Sequence, residues 1–161
     1  MNRVIKFIVS VSLPLALGAF AGFFTSPAIT GWYSIINKPS FNPPNWIFAP
    51  VWTALYIIMG IAFYIVWIRV EENKIRTKAI MFYFIQLVLN FCWSIIFFYA
   101  AKPGWAFAEI IFLWIMIAAT INKFYKISKP AAWLLVPYLV WVSFAAVLNF
   151  AIWRLNPDSL L

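Results

Sequence analysis

Few side chains in this sequence of 161 residues could carry out catalysis. The chain contains no His, a single cysteine (Cys92) and only four acidic residues. A metal site needs several ligands close together, and a catalytic nucleophile needs a neighbouring base. The composition therefore predicts no metal site, no covalently bound cofactor and no internal disulfide, and it disfavours conventional acid–base or nucleophilic catalysis.

Polar side chains do form one regular pattern. Gln86, Asn90 and Ser94 recur at four-residue spacing, which places them on one face of a helix. An unpaired amide is costly in an apolar environment, so this face must turn inward. It then either makes hydrogen bonds between helices, each worth about 0.6–2 kcal/mol, or lines a cavity. Taken alone, the pattern favours hydrogen bonding between helices.

Two aromatic faces carry a small residue among large ones. One contains Trp52, Tyr56 and Gly60, and the other contains Trp141 and Ala145, followed by Leu148. Aromatic rings can stack on a planar ligand, and a small residue between them lets either a ligand or a neighbouring helix approach. Each face alone indicates ordinary packing. With the proline-rich loop described below, the two together indicate a pocket among helices.

Glu109 is the one acidic residue within an apolar run. An ionisable group at membrane depth is a candidate functional residue. A structural ion pair is the alternative, with Lys102, Arg154 or Lys38 as its partner. The sequence leaves both interpretations open.

The composition identifies the solvent of these residues. Hydrophobic residues make up 66% of the chain and charged residues 10%, against about 45–50% and about 25% in soluble domains. Such a chain has too little polar surface for water, so we expect an integral membrane protein in contact with lipid. The basic residues lie between the apolar runs, a pattern typical of membrane topology and not of nucleic-acid binding.

Five apolar runs each approach the roughly 20 residues that cross a bilayer. They predict an all-α membrane protein, a single domain (residues 1–161) formed by a bundle of five transmembrane helices at about 5–25, 46–69, 78–101, 104–124 and 130–154. The Ala19-Phe20-Ala21 triplet imitates a signal-peptide cleavage site. Because the apolar run continues through Phe24, a retained first helix is favoured.

Lysine and arginine residues predict the orientation. The N-terminus and the second and fourth loops carry nine of them, whereas the opposite side carries three. We therefore expect a multi-pass protein of a prokaryotic cytoplasmic membrane, with its N-terminus in the cytoplasm and its C-terminus outside. The first loop would lie outside as well. Its Pro39, Pro43 and Pro44 exclude a helix, and its apolar character suggests that it folds back over an apolar site.

These residues resemble the TspO/MBR family of tryptophan-rich sensory and translocator proteins. The similarity covers nearly the whole chain after Gly18. It rests on these motifs: Trp32-Tyr33, Lys38-Pro39-Ser40, Pro43-Pro44-x-Trp46, Pro50-Val51-Trp52-Thr53-x-Leu55-Tyr56, Met59-Gly60, Gln86-Leu87, Leu89-Asn90, Trp93-Ser94, Gly104-Trp105-Ala106 with Glu109, Pro137-Tyr138-Leu139-x-Trp141, Phe144-Ala145, Leu148-Asn149 and Trp153-Arg154.

The resemblance implies a five-helix protein, often a homodimer, that binds porphyrins such as protoporphyrin or haem, and other flat hydrophobic molecules, beneath the first loop. Carried over by position, the ligand-binding residues are Tyr33, Pro43, Trp52, Asn90, Trp105, Glu109, Trp141, Ala145 and Leu148. The family position of Glu109 is usually Asp. A sterol-recognition pattern discussed for mammalian relatives survives here only as Leu148 and Arg154, because Phe150 replaces its tyrosine, which puts sterol binding in doubt.

Three functions remain open beside binding with a sensory, regulatory or translocation role. The first is a transporter of tetrapyrroles or lipids, although no inverted repeat is visible. The second is a Trp-assisted enzyme that degrades porphyrins with light or oxygen. The third is a structural partner protein. A dimer is only weakly indicated, because the motif from Gly18 to Gly22 could pack within the bundle as well as between subunits.

Overall fold

A computed structural model describes residues 2–69 and 74–157 of the protein. Within these ranges the chain forms seven α-helices and one π-helical segment. They are α1 (Arg3–Thr30), α2 (Trp32–Ile35), α3 (Asn45–Arg69), α4 (Lys74–Ser94), the π-helical segment Ile95–Tyr99, α5 (Pro103–Tyr125), α6 (Lys129–Leu134) and α7 (Val136–Leu155).

Within the described residues, five spans are long and apolar enough to cross a membrane. They are α1, α3, α4 with its π-helical continuation, α5, and α6 with α7, and they contain 28, 25, 26, 23 and 27 residues. Roughly 20 residues suffice to cross the hydrocarbon core. The predicted five-helix membrane bundle is therefore confirmed.

The first helix extends beyond its predicted end near residue 25. It continues to Thr30, through Thr25, Ser26 and Pro27. The hydroxyls of Thr25 and Ser26 donate to the carbonyl of Gly22 at 3.2 and 2.8 Å. Because these hydroxyls are satisfied within their own helix, they do not need water and do not end it.

Proline interrupts the last span. α6 ends at Leu134 and α7 begins at Val136, so the break lies just before Pro137. Proline has no backbone N–H and its ring crowds the preceding turn. By contrast, Pro14 and Pro50 lie inside α1 and α3.

The bundle has two different halves along its axis. The end that carries residues 36–44, the proline-rich loop, is called the loop end below. In the opposite half, the Phe63 and Tyr83 rings stack with centroids 4.7 Å apart, and Tyr83 also stacks on Phe124 at 5.9 Å. Stacked aromatic side chains pack the core of this half, whereas the core of the loop half contains a cavity.

Candidate ligand-binding cavity

A cavity of about 560 Å³ lies in the half of the bundle next to the proline-rich loop. This volume is within the range of about 300–1,000 Å³ typical of small-molecule sites. Its walls come from α1, α2, α3, the third span and α7. The lining residues are Leu15, Gly18, Ala19, Ala21, Gly22, Thr25, Ser26, Ile29, Tyr33, Asn45, Phe48, Ala49, Trp52, Thr53, Tyr56, Trp93, Ser94, Phe97, Phe98, Trp141, Phe144, Ala145, Leu148 and Asn149.

A chain of buried hydrogen bonds connects three helices beside the cavity. The Tyr56 hydroxyl donates to Oδ1 of Asn90 at 2.7 Å, and Nδ2 of Asn90 donates to the Tyr138 hydroxyl at 3.1 Å. Tyr138 in turn donates to Oε1 of Gln86 at 2.9 Å. The polar face of α4 therefore bonds helices together at Gln86 and Asn90, and among its three members Ser94 reaches the cavity wall.

Trp52 is positioned by this chain. Its ring stacks on Tyr56 with centroids 5.6 Å apart and planes 29° apart, and its edge meets Tyr138 at 6.3 Å. Tyr56 is held in turn by Asn90. The indole that lines the cavity thus rests on side chains whose own conformations are fixed.

A second amide holds the other side of the wall. Asn149 accepts a hydrogen bond from the Trp93 indole at 3.0 Å and donates to the carbonyl of Pro103 at 2.7 Å. That carbonyl belongs to the first residue of α5. Trp93 also stacks on Phe97 at 5.3 Å. Asn149 therefore connects the third span, α5 and α7 at the level of the cavity.

Trp141 and Ala145 lie one turn apart on α7. The Trp141 ring contacts Phe48 of α3 at 6.2 Å and Phe144 at 5.5 Å. Ala145 has a small side chain on the same lining face. A bulkier residue at 145 would project into the space that the alanine leaves free.

The proline-rich loop is fixed over the end of the bundle. The buried Tyr33 donates to Oδ1 of Asn42 at 2.9 Å. Asn156, just after α7, accepts from the backbone N–H of Asn37 at 3.0 Å and donates to its carbonyl at 2.9 Å. Phe41 packs edge-on against Phe144.

Tyr33 is shielded from water in this position. Burial raises the pKa of its phenol above the ordinary value, and the hydrogen bond to Asn42 acts in the opposite direction. Beside it, the indole of Trp32 donates to the carbonyl of Phe98 at 2.6 Å. This carbonyl lies at the end of the third span, where helical partners run out.

The cavity wall is apolar and uncharged. Among the described residues, no lysine, arginine, aspartate or glutamate lines it. Ser26 and Thr53 bond to carbonyls of their own helices, Gly22 and Ala49, both at 2.8 Å. These two hydroxyls need no partner from a ligand, so the wall suits a hydrophobic molecule, whereas the buried indole N–H of Trp141 has no partner among the described residues.

The structure brings together five of the nine residues that the sequence proposed for ligand binding. Tyr33, Trp52, Trp141, Ala145 and Leu148 all line the cavity. They come from α2, α3 and α7. Residues that are far apart in the sequence therefore share one wall.

The other four do not line it. Pro43 lies in the loop, and Asn90 is buried in the hydrogen-bond chain behind Trp52. Trp105 and Glu109 belong to α5, which contributes no lining residue, and Trp105 is 71% exposed at the bundle surface. Glu109 is half-buried, and both carboxyl oxygens lack hydrogen-bond partners among the described residues.

The remnant of the sterol pattern is divided between two sides of α7. Leu148 is buried and lines the cavity, whereas Phe150 is exposed and packs against Phe107 at 5.1 Å. Arg154 is exposed beyond it. The three residues therefore do not form a single surface.

Sequence reasoning missed the contribution of α1. Gly18, Gly22 and Ser26 recur at four-residue spacing, and all three line the cavity. The motif from Gly18 to Gly22 was visible, but small residues in a membrane helix usually indicate helix packing. Gly18 does pack in this way, against the Tyr56 ring, whereas a Cβ at Gly22 would meet nothing within 4 Å.

Comparison with known proteins finds similarity over nearly the whole chain. The TspO/MBR family matches residues 10–154. A tryptophan-rich protein TspO of Archaeoglobus fulgidus is 45% identical over 96% of this chain and 99% of its own length, and one of Chlorobaculum tepidum is 43% identical over 98% and 100%. A translocator protein of Ovis aries is 40% identical over 84% of this chain and 83% of its own.

Proposed function

This chain belongs to the TspO/MBR family of multi-pass membrane proteins, and from that premise we propose that it binds a porphyrin, or a similar flat hydrophobic molecule, in the cavity. The observation that supports the proposal most is the cavity itself. Its volume is about 560 Å³ and its wall combines tryptophan, phenylalanine and tyrosine rings with small residues.

The wall chemistry fits a planar, aromatic ligand. Apolar burial would contribute roughly 25 cal/mol per Å², and the rings of Trp52 and Trp141 offer faces or edges for stacking. The rigid backing of Trp52 by Tyr56 lowers the entropy lost on binding. Since no charged residue is found in the described wall, the carboxylates of a porphyrin would stay at the mouth of the cavity.

We further propose the orientation that the charge distribution predicts. The N-terminus would lie in the cytoplasm, and the proline-rich loop and the C-terminus would lie outside a prokaryotic cytoplasmic membrane. The cavity would then occupy the half of the bilayer away from the cytoplasm. The names of two relatives, a translocator protein and a tryptophan-rich sensory protein, agree with a sensory or translocation role for a bound ligand.

A titration tests this proposal. Purified protein in detergent is titrated with protoporphyrin IX while tryptophan fluorescence is recorded. We expect saturable quenching, and we expect the Trp52→Phe, Trp141→Phe double variant to bind about tenfold more weakly, a loss of about 1.4 kcal/mol.

Trp105→Phe is the matched control, because Trp105 is exposed outside the cavity. It should keep the wild-type affinity. Equal affinity of the wild type and the double variant would refute the assignment of the ligand to this cavity.

A further inference from the structure

The cavity is open on one side of the bundle. Five of its lining residues are exposed, and all five belong to α1 or α3: Ala19 and Ser26 on the first helix, and Asn45, Ala49 and Thr53 on the second. The lining residues on α2, the third span and α7 are buried or half-buried. The mouth therefore lies between α1 and α3.

The packing of α1 explains why this mouth exists. In the half away from the loop, Gly60 of α3 lies against the backbone of Ser10 and Val11, where an added Cβ would be 2.6 Å from the Val11 Cα. Toward the loop end, α1 instead contacts the third span. Phe20 stacks on Phe91 at 5.6 Å and Phe24 meets Tyr99 at 5.9 Å.

The mouth runs along two membrane-spanning helices, so we expect it to face the acyl chains. Asn45 to Thr53 corresponds to about 12 Å along α3, and Ala19 to Ser26 to about 10 Å along α1. Both ranges begin near the loop end and extend toward the middle of membrane-spanning helices. Its hydroxyl groups at Ser26 and Thr53 are already bonded to their own helices, so lipid can contact them at little cost.

The alternative route, through the loop, is held closed by specific contacts. Tyr33 bonds to Asn42, and Asn37 is bonded in both directions by Asn156. Opening this route would break three hydrogen bonds and the contact of Phe41 with Phe144. The mouth between α1 and α3 requires no such change.

We propose that ligands enter and leave the cavity sideways, from the bilayer leaflet at the loop end, through a portal between α1 and α3. The natural ligand is then a molecule that dissolves in the membrane, with any charged group held near the headgroups. This inference rests on the proposed function, because it describes the route to the same cavity.

Two pairs of variants test the portal. Ala19→Phe and Ala49→Phe place a bulky ring at its rim, whereas Ala16→Phe and Ala54→Phe place the same ring on exposed positions of the same helices outside the cavity. Each protein is reconstituted in vesicles and mixed with vesicles that carry protoporphyrin IX. Quenching is followed by stopped flow, and the equilibrium affinity is measured separately.

The portal variants should slow association and dissociation by a similar factor, at least about tenfold, with affinity within about threefold of the wild type. The control pair should exchange ligand at the wild-type rate. Wild-type rates in Ala19→Phe and Ala49→Phe would overturn the portal and leave the cavity assignment standing. A loss of affinity caused only by faster dissociation would have the same two consequences. Absence of saturable binding by the wild type would overturn both proposals.

Discussion

The Tyr56 hydroxyl donates a hydrogen bond to the side-chain amide of Asn90 at 2.7 Å, and the Tyr56 ring in turn stacks on Trp52, with centroids 5.6 Å apart. Asn90 does not line the cavity itself. It acts through Tyr56, whose ring position determines where the Trp52 indole lies. Asn90, which the family resemblance assigned to ligand contact, thus positions Trp52.

Asn90→Ala should lower both stability and ligand affinity. The substitution removes the two hydrogen bonds to Tyr56 and Tyr138 and leaves a void among buried rings. We expect a loss of roughly 1–3 kcal/mol in the free energy of unfolding, measured by thermal unfolding in detergent. Ser94→Ala is the control one turn away, since among the described residues its hydroxyl makes a single long hydrogen bond, 3.4 Å to the Asn90 carbonyl. An Asn90→Ala protein as stable as the control would contradict the positioning role.

Two glycines should respond oppositely to the same substitution. Gly60→Ala forces α3 away from the α1 backbone and should cost about 1–3 kcal/mol of stability. Gly22→Ala enters open space and should be neutral, or stabilising by up to about 1 kcal/mol through helix propensity. Chemical unfolding in mixed micelles compares the two. Equal effects would show that the close approach of α1 and α3 at Gly60 does not contribute to stability.

Tyr33→Phe should loosen the proline-rich loop with a characteristic pH dependence. Because burial raises the pKa of the Tyr33 phenol, the folded state prefers the neutral form. The difference in stability between wild type and Tyr33→Phe should be constant up to about pH 9. This difference should shrink above about pH 10, where the Tyr33 phenol ionises in the loosened loop but stays neutral in the folded state. Proteolysis of the loop, measured at several pH values, reports the difference. A stability difference that grows above about pH 10 would contradict the predicted direction of the pH dependence.

Glu109→Met should stabilise the protein and leave porphyrin affinity unchanged. Both Glu109 carboxyl oxygens are buried without a hydrogen-bond partner among the described residues, and burying such groups is costly. Replacing the carboxylate with an apolar side chain of similar size should recover about 1–3 kcal/mol. Thermal unfolding and a protoporphyrin titration are measured on the same sample. A tenfold loss of affinity would instead make Glu109 part of the site.

The sequence was sufficient for the number of spans and for much of the cavity wall. Apolar runs of about 20 residues have few alternatives to helices in a bilayer, and Trp52, Trp141 and Ala145 were recognisable from a small residue among aromatics. Helical periodicity says which residues share a face, but not which neighbour that face meets. The family resemblance assigns Asn90, Trp105 and Glu109 to the wall by position alone, whereas the first lies behind it and the others lie on α5.

The contribution of α1 could not be read in this way. Its small residues fit close helix packing at Gly18 and an open wall at Gly22 equally well. The divergence of α1 from α3 depends on contacts with the third span, such as that of Phe20 with Phe91. These contacts join residues about 70 positions apart, which local patterns do not report.

Filling the cavity tests the central claim most directly. Ala145→Phe places a ring inside the cavity, whereas Val147→Phe places one on the 58% exposed outer face of the same helix. Protoporphyrin IX is titrated against both variants after their thermal unfolding has shown that they are folded. We predict that Ala145→Phe binds at least about tenfold more weakly than the wild type, a loss of about 1.4 kcal/mol or more, and that Val147→Phe binds normally. Wild-type affinity in a folded Ala145→Phe protein would contradict the assignment of the ligand to this cavity.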